Sequence, residues 1–228
     1  MLALLKRNFL LYARNRSGVF FSLLGALISF LLYIIFLQKN LTDVWSQLPD
    51  NTSLLNNWLM GGTLAVTGIT TSFAALTQMV QDRENQVDQD LFLTDLGRWG
   101  LELSYLISSF VISFVMQVFM FIIMSLYFQE IPVMSHLLEI SLLMLLSSLL
   151  STLVNALLIY HFQSVDSLGK VATIIGTASG FLVGTYVPMG ILPNFAQVLM
   201  KCTPATYIAS LYRQVLMKEQ LETTFMEN

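Results

Sequence analysis

The densest group of charged side chains lies at 81–100, QDRENQVDQDLFLTDLGRWG, where Asp82, Glu84, Asp88, Asp90 and Asp95 stand among Arg83 and Arg98. Two chemistries are open to such a group, cation binding by carboxylates and docking of a partner. The acidic spacing is not that of a calcium loop, so a metal site is not expected. Val87 and Leu91 share a helix face, and Phe92 and Leu96 share an adjacent one. The segment therefore reads as a short helix whose apolar edge a partner covers, or as a solvated charged connection. Elsewhere catalytic chemistry has little to work with. Cys202 is the single cysteine, which leaves no internal disulfide and no paired-cysteine metal spacing. His136 and His161 each sit beside the end of an apolar run. Gly169-Lys170-Val171 lacks both the upstream glycine and the hydroxyl of a phosphate-cradling loop. Neither a His-Glu-x-x-His helix nor a serine elbow is present. No catalytic residue and no metal ligand is assigned, and this chain is not expected to hydrolyse ATP itself.

These residues hang on an apolar frame. Of the 228 residues, 55% are hydrophobic and 11% charged, against roughly 25% charged in soluble domains. About 20 apolar residues cross a bilayer core as a helix, and five segments qualify: 18–37, 58–80, 101–128, 137–160 and 171–190. The first is longer than the apolar part of a signal peptide, roughly 7–15 residues, so it reads as an uncleaved span. With the N-terminus in the cytoplasm, Lys6, Arg7, Arg14, Arg16, Arg83, Arg98 and Lys170 are inside, and Lys39, Lys201, Arg213 and Lys218 outside. This follows the excess of basic residues in cytoplasmic loops. A net charge of −3 without a basic stripe excludes a nucleic-acid partner. The expected class is all-α and polytopic, in a plasma membrane that is expected to be bacterial.

Both ends of the chain carry further signals. Leu2, Leu5, Phe9 and Tyr12 recur at helical spacing with Lys6, Arg7 and Arg14 between them. Residues 1–17 thus read as a basic interfacial helix against membrane lipid, or as a topogenic flank. Residues 191–217 are apolar but broken by Pro193 and Pro204, and they carry Lys201 and Arg213. That mixture fits extracytoplasmic re-entrant helices shielded by protein. Gly176, Gly180 and Gly184 recur every four residues, which suits close helix packing within the chain, a dimer face or a pathway. Gln78, Gln117 and Asn155 read as interhelical hydrogen-bonding groups. Apart from Glu102, Glu139 and His161 near span ends, the spans hold no ionisable residue. That counts against a proton-driven carrier, but leaves an ATP-independent carrier or channel as the alternative function.

Arg83-Glu84, Leu91-Phe92, Thr94 and Leu96-Gly97-Arg98 resemble the cytoplasmic loop of permeases of the type-2 ABC exporter family. Gln86 stands where that family usually has glycine, and Asp95 where it usually has proline. Arg14-Asn15-Arg16 is similar to the turn that ends the family's N-terminal connecting helix. Leu192-Pro193, then Thr203-Pro204-x-x-Tyr207 with Arg213 beyond, resembles its extracytoplasmic helical hairpin. The resemblance implies one permease domain over 1–228, paired with a second permease subunit, identical or related. It implies ABC ATPase subunits beneath, which hold the ATP and magnesium, and export as the direction. Arg83, Glu84, Val87, Leu91, Phe92, Leu96 and Arg98 would form the ATPase-coupling loop, and the first, second and fifth spans the exit path. The family has six spans where five are seen here, so a truncated or divergent end is expected.

Overall fold

The computed structural model describes residues 1–37, 51–93, 97–129, 134–185 and 189–218, and among them there is helix and no strand. Helix α1 (Leu2–Arg14) ends where Asn15 leaves the helical conformation. The same Asn15 side chain accepts the Gly18 N–H and so caps α2 (Arg16–Leu32). The Arg14-Asn15-Arg16 turn is thus a break between an N-terminal helix and the first span. A π-helical segment, Tyr33–Leu37, continues α2. There follow α3 (Asn51–Glu84), the short α4 (Val87–Phe92), α5 (Gly97–Phe128), α6 (Met134–Ile159) and α7 (Val165–Leu182). A 3-10 turn, Met189–Ile191, leads to α8 (Asn194–Cys202) and α9 (Pro204–Leu216). Pro193 precedes α8, and Pro204 opens α9, where its missing N–H costs nothing.

The long helices run alternately up and down. One end of the bundle carries α1 and α4; the opposite end carries α8 and α9. Four helices among the described residues are long and apolar enough to cross a membrane: Arg16–Ile35, Thr52–Glu84, Gly97–Phe128 and His136–Ile159. Two of them overrun the expected spans by several residues, chiefly α3, which starts seven before and ends four after 58–80. The 34 residues of α3 extend about 51 Å, well beyond a hydrocarbon core of roughly 30 Å.

That helix is also the least apolar of the four and the most enclosed, with 83% of its span window buried. It packs against α1, α2, α4, α5, α6, α7 and α9. Asn56, Asn57, Thr63, Thr67, Thr71 and Ser72 on it are all buried. Protein rather than lipid surrounds α3, and most of its polar groups find partners, although the Thr63 hydroxyl has none among the described residues. Asn155 of α6 donates to the Ile69 carbonyl and to Ser72 Oγ at 2.8 and 2.7 Å. Ser109 and Ser113 of α5 donate to the carbonyls of Ser72 and Gly68, both at 3.1 Å. Gln117, fully buried, donates to Ser148 of α6 at 2.7 Å and accepts from Tyr212 of α9 at 2.8 Å. Gln117 and Asn155 thus join helices, whereas Gln78 bonds within α3.

The fifth expected span, 171–190, is not among these four helices. Its helix starts at Val165 and stops at Leu182. Gly184 takes φ +69°, the Thr185 N–H bonds to the Gly180 carbonyl, and the Gly184 N–H bonds to that of Phe181. This paired arrangement ends a helix through a left-handed residue. Gly184 therefore terminates α7 and does not continue the face of Gly176 and Gly180, which corrects the three-glycine stripe.

Candidate coupling site

Three consecutive residues at the end of α3 tie it to its surroundings, Asp82 on one side and Arg83 with Glu84 on another. Asp82 is buried at 3% exposure. Its carboxylate receives both Arg7 terminal nitrogens, at 2.7 and 2.9 Å, and the Gln78 amide at 2.8 Å. The Tyr105 hydroxyl of α5 donates to it as well. A forked guanidinium matches a carboxylate in this two-bond geometry. The hydrogen bond to Asp82 holds the Arg7 guanidinium above its ordinary pKa, against the opposing effect of burial. One buried acid thus clamps α1 to α3 and α5.

Of the α1 cations, Arg7 alone departs from the interfacial reading. Leu4 and Asn8 form its buried contact, with Arg7 beside them, while Leu2 and Phe9 stay exposed. Lys6, Arg14 and Arg16 are exposed, as cations near headgroups would be; Arg7 is spent inside the protein. Asp82 was visible only as one of the loop acids. Its spacing four after Gln78, on the same helix face, was the one available signal.

Arg83 and Glu84 turn towards the connection between α6 and α7. Arg83 donates through Nη1 to the carbonyls of Tyr160 and Phe162 at 3.3 and 3.2 Å, with its guanidinium 5.8 Å from the Tyr160 ring centre. The Glu84 carboxylate accepts the Val165 N–H at 2.9 Å, at the first residue of α7. A carboxylate there satisfies an otherwise unpaired donor and favours the positive end of the helix dipole.

After Glu84 the chain turns through Gln86, at φ +59°, into α4. A side chain strains that left-handed conformation by about 1 kcal/mol, which explains why glycine suits this place. Gln86→Gly is therefore expected to raise stability by about that amount in thermal unfolding of the detergent-purified protein. Within α4, Leu91 packs towards a cluster of Leu4, Met79, Leu101 and Tyr105. Val87 is half-buried, and Phe92 points outward beneath the Arg98 guanidinium, 6.0 Å from its ring centre. Arg98 also pairs with Glu102 at 3.4 Å. Leu96, expected beside Phe92, lies outside the described residues. Arg83, Asp88, Phe92, Arg98, Glu102 and Tyr160 line a cleft of about 380 Å³ between α4 and the ends of α3, α5 and α6. Among the described residues no cluster of carboxylates, histidines or cysteine could hold a metal ion.

The family model for ABC-2 type transporters matches residues 1–217. The chain belongs to the ABC-2 type transporter family. It is a multi-pass membrane permease component, of a kind that associates with ABC ATPase subunits. No curated protein and no solved structure gives a match.

At the opposite end of this ABC-2 permease, α9 lays Ala205, Ile208, Ala209, Tyr212 and Leu216 into the bundle against α3 and α6. Arg213 donates to the Trp58 carbonyl at 3.2 Å and to the Gly184 carbonyl at 3.0 Å, and its guanidinium lies 4.5 Å from the centre of the Trp58 ring. It joins α9, the start of α3 and the stop of α7. Such close approach needs glycine on α3: a methyl at Gly62 would lie 2.5 Å from Thr185 Oγ1 and 2.8 Å from Arg213 Nη2. Tyr207 is exposed and closes the α8–α9 corner by donating to the Lys201 carbonyl at 2.8 Å. Thr206, which the sequence did not single out, donates to the Leu182 and Met200 carbonyls at 2.7 and 2.8 Å. It binds the ends of α7 and α8 together.

Between α2 and α7 runs an open groove of about 800 Å³, lined chiefly by Phe21, Leu24, Ile28, Leu32 and Phe181, with Gly25 and Gly176 also in its wall. No charged side chain lines it. Gly176 presents open space to this groove, while its carbonyl lies 3.3 Å from where a methyl on Gly25 would be. Gly180 is buried.

Proposed function

We propose that this permease exports its cargo with ATP hydrolysed by separate ABC ATPase subunits, which carry the ATP and magnesium and dock at the α1 end. That end is then the cytoplasmic one. Two permease subunits, identical or related, pair to enclose the path. The observation that supports coupling at loop 81–100 is the triple connection of Asp82, Arg83 and Glu84, which ties α4's neighbourhood to α1, α5 and the start of α7. A displacement of α4 by a closing ATPase pair cannot stay local, because these residues would carry it to several helices. The bundle would answer as packed bodies shifting against one another.

The helices α2, α3 and α7 are the proposed path. The uncharged α2–α7 groove supports an apolar portion in the cargo. Such a portion gains by leaving water, whereas a charged one would lose its hydration there.

Mild-detergent purification of the native protein, with mass spectrometry of what accompanies it, tests the docking. A stoichiometric protein carrying a phosphate-binding loop is expected; repeated recovery of the permease without one would overturn the reading. Glu84→Ala and Leu91→Ala are each expected to lower ATP-driven export about tenfold or more while membrane levels stay constant. Export at the native rate in both variants would remove the coupling role.

A further inference from the structure

We propose that the cleft beside α4 binds the headgroup of a bilayer phospholipid that carries both a phosphate and a primary ammonium, as phosphatidylethanolamine does. The lining charges carry the argument. Two guanidiniums, Arg83 and Arg98, and two carboxylates, Asp88 and Glu102, face one cavity of about 380 Å³. A simple anion would leave the carboxylates opposed to it, and a simple cation would meet the guanidiniums. A zwitterion satisfies both pairs. Arginine forks suit phosphate oxygens, and a primary ammonium offers three N–H donors to carboxylates.

The arginines are held ready rather than consumed. Arg83 engages the Tyr160 and Phe162 carbonyls through Nη1, and Arg98 engages Glu102 through Nε. The remaining guanidinium nitrogens have no partner among the described residues. Stacking on Tyr160 and Phe92 fixes where the two groups point.

Depth and surroundings select a lipid over a protein loop. Arg83 stands in the last turn of α3, Arg98 in the first turn of α5, and Tyr160 just beyond α6. Span ends of this kind lie at the headgroup level, where basic pockets between helices take lipid headgroups. Trp99, 85% exposed, stands beside Arg98 as an aromatic of the membrane–water interface does. From Tyr160 an exposed apolar stripe runs along α6 through Leu157 and Leu153. It offers a track for acyl chains that a water-facing protein dock would not need.

This site does not rest on ATP coupling, and its test uses no ATPase. The full chain in detergent is titrated with phosphatidylethanolamine, phosphatidylglycerol or phosphatidylcholine, and bound lipid is counted by native mass spectrometry. Phosphatidylethanolamine is expected to bind about fivefold tighter than either other lipid, the worth of one matched charge near a membrane surface. Asp88→Asn with Glu102→Gln should erase its advantage over phosphatidylglycerol. Arg98→Gln should weaken both lipids, and Arg98→Lys should restore most of the loss. Equal binding of the three lipids, or affinities unmoved by these variants at an unchanged melting temperature, would overturn the proposal.

Discussion

Asp82→Ala is expected to cost about 3 kcal/mol of stability and to free α1 from the bundle. The acid is 3% exposed and receives four hydrogen bonds, from Arg7, Gln78 and Tyr105. Its removal leaves a guanidinium and a phenol facing each other's space with no acceptor between them. Breaking a fully buried pair from one side costs about 3–5 kcal/mol. The Arg7 side chain keeps 29% exposure and can recover some hydration, which places the expectation at the lower end. Thermal unfolding of the detergent-purified protein checks it, with Arg7→Gln and the double variant completing a cycle. The double variant should lose less than the two single losses added together, because it leaves no unpaired charge. Purely additive losses would mean that the pair does not hold α1.

Arg213→Ala is expected to undo the joint at the opposite end. Two hydrogen bonds from a charged donor, each worth about 1.5–3 kcal/mol, and the contact with Trp58, worth about 0.5–2 kcal/mol, are lost together. Water entering the gap returns part of this, so a net loss of about 3 kcal/mol is expected. Gly62→Leu attacks the same joint from α3, since its first added carbon already meets Thr185 and Arg213. Overpacking of this kind costs about 1–3 kcal/mol. Hydrogen exchange of the amides of α9 is the informative measurement: both variants should speed it, while α1 and α4 keep their native protection. Unchanged exchange of α9 in Arg213→Ala would show that the apolar face of Ile208 and Tyr212 docks this helix alone.

Much of the frame was legible because it rests on local rules. Apolar runs of bilayer length marked the spans, Asn15 broke the helix between two basic residues, and Pro193 and Pro204 opened α8 and α9. The family pattern also pointed at Gln86, whose left-handed backbone supplies the reason. Span ends were less legible. The α3 helix outruns its apolar stretch because neighbouring elements, not lipid, satisfy Asn56 and Asp82 near its ends. Gly184 looked like one more small residue in a stripe, yet it carries the φ that stops α7. Spacing alone cannot tell a packing glycine from a terminating one, since both are small and only the second needs a positive φ.

The sequence by itself determined that this protein lives in a membrane, that it is helical, where its chain breaks, and which loop concentrates its charge. Each of these depends on composition or on residues a few places apart. Tertiary structure alone decided which polar groups meet. Arg7 and Asp82 are 75 residues apart in sequence, Gln117 and Tyr212 are 95, and Trp58 and Arg213 are 155. No local preference encodes such pairings. They arise because α3 is enclosed by its neighbours, and inside that enclosure polar groups pair with one another because neither water nor lipid supplies partners there.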